Sequence, residues 1–164
     1  MWIIQTIGKE RCSKEKQQIN IYVMIYNFLF PKYDNNRLSG ILLAVRIIFG
    51  GLLFYHGFTK IMALNALSFT FPDPLGIGAP TSLWLVIFAE VFCSLACIFG
   101  LLFRLALLPI IFSMGVAFFV AHAGDPFAAK ELSLVYLLVF IILYITGPGS
   151  YALDCWFARL KKEQ

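Results

Sequence analysis

From Leu38 onward the chain reads as four apolar segments, Leu38–Lys60, Ser82–Phe103, Arg104–Ala121 and Glu131–Gly147, each long enough to cross a bilayer and nearly free of charge. This fixes the solvent before any chemistry is considered. In hydrocarbon every backbone N–H and C=O must be satisfied within the chain, so segments of this length are helices. The expected fold class is therefore all-α, an integral membrane four-helix bundle. Composition agrees, since 60% of the 164 residues are hydrophobic and 13% are charged, where a soluble domain carries about a quarter charged residues. A separate soluble catalytic domain does not fit in the remaining length.

The net charge of +4 is unevenly placed. Lys9, Arg11, Lys14, Lys16, Lys32 and Arg37 precede the first span, Arg104 sits in the turn between the second and third, and Arg159, Lys161 and Lys162 follow the fourth. The other two connections carry only Lys60 and Lys130 near the spans. Positive residues concentrate on the cytoplasmic side, so both termini and the Arg104 turn are expected there. The lipid bilayer is then the first partner. Nucleic acid is not, because the basic residues flank spans instead of forming one stripe.

Three regions are expected: an N-terminal cytoplasmic or interfacial segment at 1–37, the transmembrane domain at 38–156, and a basic cytoplasmic tail at 157–164. Within the first, Met1–Gln18 has neither a long apolar h-region nor a small-residue cleavage site, which argues against a signal peptide. Ile19–Phe30 is apolar and aromatic but too short to span, as an interfacial anchor would be. Met24 lies inside it and could be the true start. Further along, Gly50 and Gly51 would permit close helix approach. Pro72, Pro74, Gly76, Gly78 and Pro80 punctuate the longest loop, which could fold back as a lid or hold a short helix. Pro109 would kink the third span or lie in its first turns, and Gly147-Pro148-Gly149 ends the fourth.

Ionisable residues inside lipid need a reason. Arg46, His56 and Lys60 fall within an arc of roughly 80° on the first helix at 100° per residue. Glu90 lies about 12 Å below the external end of the second span. Ionised and alone it would cost several kcal/mol, so it is expected to pair with Arg46, His56 or Lys60, or to be carried protonated. A register-fixing ion pair is the plain alternative to a functional site. His122, Asp125 and Glu131 gather at the external mouth, where helix capping would also explain them. Tyr136 and Tyr55 add hydroxyls there, although aromatic-belt anchoring serves as well.

The four cysteines show neither CxxC nor a zinc pattern, and no metal site is expected. Cys93 and Cys97 stand at i, i+4, about 6 Å apart at Cβ, too far for an intrahelical disulfide. With Ala89 they form a small-residue seam, read as helix packing. Two histidines on separate helices meet the count for bis-imidazole haem ligation, but no further haem signature accompanies them.

In order along the chain, Arg46-x3-Gly50, His56-Gly57-x2-Lys60, Glu90, Gly100-Leu101-x2-Arg104, Ala121-His122, Glu131, Tyr136 and Gly147-Pro148-Gly149-x-Tyr151-x2-Asp154 resemble the DoxX family of small four-helix membrane proteins. The resemblance covers about residues 38–156. It implies a multi-pass protein of the bacterial cytoplasmic (inner) membrane. Family members include subunits associated with quinone-linked sulfur oxidation, and others are thought to accompany soluble redox enzymes.

The expected function is accordingly a redox-associated membrane subunit binding quinone or a small thiol or sulfur substrate. Glu90 and His56 would be the catalytic pair, with Glu90 accepting a proton and His56 passing protons outward. Arg46 would hold the carboxylate and Lys60 would attract an anion, with His122, Glu131 and Tyr136 completing the substrate site. No flavin, haem or metal motif is present, so electrons would come from a soluble redox-enzyme partner. The alternative is a non-catalytic anchor or assembly subunit for a soluble oxidoreductase. A proton-coupled permease is a third reading, disfavoured unless the protein forms a homo-oligomer, because four helices leave a narrow path.

Overall fold

The computed structural model describes residues 36–160, with side chains described to residue 156. The 19–30 anchor, the Met24 start and most of the basic tail lie outside these residues. Every regular element among the described residues is helical: α1 (Asn36–Met62), α2 (Leu64–Leu67), α3 (Ala79–Phe99), α4 (Phe103–Ala121), α5 (Phe127–Thr146) and α6 (Leu153–Leu160). α1, α3, α4 and α5 are the four long enough and apolar enough to cross a membrane. The helices run a turn or so past several expected boundaries. Pro80 in the first turn of α3 starts that helix ahead of Ser82, as a proline lacking an N–H can. Gly100, left-handed at φ 67°, ends it before Phe103.

α1 buries one narrow stripe, Ser39, Leu42, Arg46, Gly50, Leu53 and Gly57. Its steps of three or four residues make the seam of a helix packed nearly antiparallel to a neighbour. The neighbour is α3, and two glycines set the distance between them. A Cβ on Gly50 would fall 2.7 Å from Ile98 Cγ1, and one on Gly57 would fall 2.6 Å from Val91 Cγ2 and 2.8 Å from Glu90 Cβ. Gly51 faces open space, so the expected close approach belongs to Gly50 and Gly57 instead. Ala89, Cys93 and Cys97 are buried, as the small-residue seam requires, and both cysteines are free thiols.

Two helices contain a π-helical turn. Phe88–Cys93 interrupts α3 and Ala117–Ala121 closes α4. At the end of the π-helical turn in α3 the buried Ser94 hydroxyl turns back on the helix, donating to Glu90 O (2.5 Å) and Val91 O (2.9 Å). Pro109 lies within α4.

One end of the bundle is closed by the chain that follows α5. Gly149 (φ 78°) turns it back toward α1, where Ser39 Oγ meets Ser150 Oγ at 3.1 Å. Asp154 reaches the α3–α4 turn and accepts hydrogen bonds from the N–H groups of Leu102 (2.9 Å) and Phe103 (2.8 Å). These are orphan donors at the start of α4, and a carboxylate there also meets the positive end of the helix dipole. Arg46 is fully buried at this end. Its guanidinium lies over the Phe103 ring at 5.6 Å, beside Gly100, where an added Cβ would fall 2.5 Å from Arg46 Nη1 and 2.6 Å from Ala152 Cβ. Arg104 likewise covers the Tyr144 ring at 5.8 Å.

Candidate intramembrane ligand site

The other half of the bundle opens into a cavity of about 300 Å³ between α1, α3, α4 and α5. This is the small end of the range for small-molecule sites. Most of its wall is apolar, with Leu53 on α1, Val86 on α3, Met114 and Val116 on α4, and Leu132 on α5. Five of the seven expected site residues line it: His56, Lys60, Glu90, His122 and Tyr136.

Glu90 is 4% exposed and forms an ion pair with Lys60. The local reason is the Gly57 contact. With no side chain at Gly57, the backbone of α3 settles against α1 at Glu90, and Lys60 stands one turn above with a stem long enough to reach down. The Glu90 level is thus that of Gly57. Arg46 lies fourteen residues from Lys60 on the same helix, about 21 Å away, in the closed end. It holds no position against the carboxylate.

His56 packs edge-on against the Tyr136 ring, with centroids 6.1 Å apart. Phe49 also meets that ring edge-on at 6.2 Å and Phe140 stacks on it at 6.2 Å, so Tyr136 is held rigidly at the cavity wall. At the mouth, His122 Nδ1 lies 2.7 Å from an Asp125 carboxylate oxygen. Glu131 is exposed on α5 and does not line the cavity, nor does Arg46.

The Ser68–Gly78 connection covers the cavity, and Phe71, Pro72, Pro74, Leu75 and Ile77 face it. This agrees with the lid expectation, and the short α2 precedes the covering residues. Asp73 holds the loop shape. Its carboxylate accepts from the N–H groups of Ile77 (3.1 Å) and Gly78 (2.7 Å) and from the Ser82 hydroxyl (2.7 Å). Ser82 belongs to the first turn of α3, so one carboxylate ties the lid to a membrane helix. The Ser82 hydroxyl first, and the Gly78 amide next, hold the Asp73 carboxyl below the usual aspartate range.

Sequence reasoning missed Asp73, Ser82 and Ser94. An Asp followed within five residues by glycines, inside a proline-rich loop, is a turn signature that would have flagged Asp73. For the π-helical turns the sequence carries no comparable sign, although such turns concentrate at functional sites. Both here border the cavity: one carries Glu90, and the other supplies Ala117 and Ala121 before His122.

Four apolar spans around a lidded cavity, with a buried ion pair in its floor, define a small multi-pass membrane protein with an internal ligand-sized site. The chain belongs to the DoxX family, whose pattern it matches over residues 41–123, half of its length. The match takes in most of α1 and all of α3 and α4, while Tyr136 and the closing segment lie beyond it. Neither the curated proteins nor the solved structures gave a match.

Proposed function

We propose that the cavity binds a small, largely apolar molecule drawn from the membrane, and that the protein is a redox-associated subunit acting on a quinone or a small thiol or sulfur compound. One observation carries this reading. Four different helices bring His56 and Lys60, Glu90, His122 and Tyr136 to a single cavity whose remaining wall is mostly apolar. A pair that only fixed helix register would need neither the cavity nor two imidazoles and a phenol around it. Ionisable groups inside a membrane mark substrate and proton paths by default.

In this reading the apolar walls hold the body of the ligand and the polar floor meets its hydrogen-bonding end. Reducing a quinone consumes two electrons and two protons. The electrons come from a soluble oxidoreductase partner. Protons travel by way of Glu90 and His56, with the Tyr136 hydroxyl orienting the ligand. Arg46 then serves the closed end of the fold. The distribution of Lys and Arg supports a bacterial inner-membrane protein with that end in the cytoplasm and the lid outside.

The test is mass spectrometry of the protein gently extracted from its own host's membranes, scoring lipids and proteins together. Stoichiometric quinone that disappears in Glu90→Gln is the expected result. A soluble enzyme recovered without any cavity ligand would overturn the ligand role and leave a membrane anchor.

A further inference from the structure

We infer that the cavity selects an electrically neutral ligand, because Lys60 is committed to neutralising Glu90 and is not a receptor for anions. The inference rests on the reading of the cavity as a ligand site and names the class of molecule that the site takes.

Among the described residues that line the cavity, Lys60 and Glu90 are the only Lys, Arg, Asp or Glu side chains, and they are bonded to each other. His122 Nδ1 lies 2.7 Å from the Asp125 carboxylate, which is outside the cavity wall. The other lining polar groups are hydroxyls, from Ser82, Ser113, Ser133 and Tyr136, and the His56 imidazole. The floor is thus close to neutral as it stands. An anion entering would leave one uncompensated negative charge in a low-dielectric site, and a cation one uncompensated positive charge. Either is opposed by the desolvation that penalises any unpaired ion inside a membrane. A neutral molecule with a hydrogen-bonding end pays neither penalty. Lys60 and Glu90 still meet it with a donor and an acceptor, since each can make more hydrogen bonds than the one they share.

This reverses the expectation drawn from Lys60 alone, at the end of an apolar span. It also predicts that selectivity follows the pair. With Glu90→Gln, Lys60 becomes an unbalanced positive charge and the cavity should accept anions. With Lys60→Met, Glu90 has no cation beside it and is carried protonated, so the cavity should keep its preference for neutral molecules.

The experiment uses the full chain in lipid nanodiscs and three probes of nearly identical shape: benzamide, benzoate and benzamidinium. Binding is read by ligand-observed NMR titration in one buffer for all three probes. The expected wild-type result is benzamide binding at least tenfold more tightly than either ion. In Glu90→Gln the order should change to benzoate first, and in Lys60→Met benzamide should stay first. Benzoate binding tightest to the wild type would overturn the inference while leaving the cavity a ligand site. Failure of all three probes to bind the wild type would overturn the ligand-site reading itself. The wild-type ranking decides the matter even if a variant fails to fold.

Discussion

Gly57 and Lys60 show how few atoms set the chemistry of this bundle. Gly57→Ala is expected to destabilise the protein by about 1–3 kcal/mol, the usual range for overpacking, because its Cβ would meet Val91 and the Glu90 Cβ below 3.0 Å. Gly51→Ala, with nothing within 4 Å, should be neutral or slightly stabilising. Unfolding in graded SDS, followed by circular dichroism, compares the two. Lys60→Met alone should cost less than the roughly 3–5 kcal/mol of breaking a fully buried pair, since Lys60 keeps some exposure. Adding Glu90→Gln should restore most of that loss, and the same titration measures it. The ionisable residues could be found in the sequence because charge stands out against an apolar background. Their pairing could not. Arg46, His56 and Lys60 share a helical arc, and only the contact at Gly57 decides which of them Glu90 meets. Counting residues from the helix ends left Arg46, His56 and Lys60 all open as partners, and the structure selects Lys60.

Among the elements, the lid and the start of α4 each depend on one aspartate. Asp73 has a folded-state acidity lying below the usual value of 3.8. A depressed carboxyl contributes order that is complete above that value and is lost as the pH falls through the lower, folded one. The lid should therefore stay closed across the neutral range and loosen only in strong acid. Hydrogen exchange of the Ile77 and Gly78 amides should be slow at pH 7 in the wild type and fast in Asp73→Ala. Equal rates in the two would show that the carboxylate does not hold the loop. Asp154→Ala removes the acceptor for the Leu102 and Phe103 amides, and should lower stability by about 0.5–2 kcal/mol, the range for a lost N-cap. The four spans and the tight turn before Arg104 were legible as runs of apolar residues and breakers. The π-helical turns were not, because they arise from packing between helices and leave the apolar pattern unchanged.

As a whole molecule the bundle has two unlike ends, one closed by the chain after α5 and one hollow beneath a lid. If the Lys and Arg bias sets orientation, a green fluorescent protein fused after Gln164 will fluoresce, and Gly124→Cys will react with an impermeant maleimide on intact cells. A dark fusion, or a cysteine that reacts only in inverted vesicles, would turn the protein over and put the lid inside. The closed end also dictates an order of events. Ser150 and Asp154 leave the ribosome after every span, yet they complete the contacts around Ser39 on α1 and at the start of α4. Until they arrive, Arg46 lacks the cover that residues near Ala152 supply. α1 therefore waits on a segment made after α5. A nascent chain cut short anywhere in α5 carries a buried-type arginine with its roof missing, a state that a membrane quality-control protease is suited to recognise.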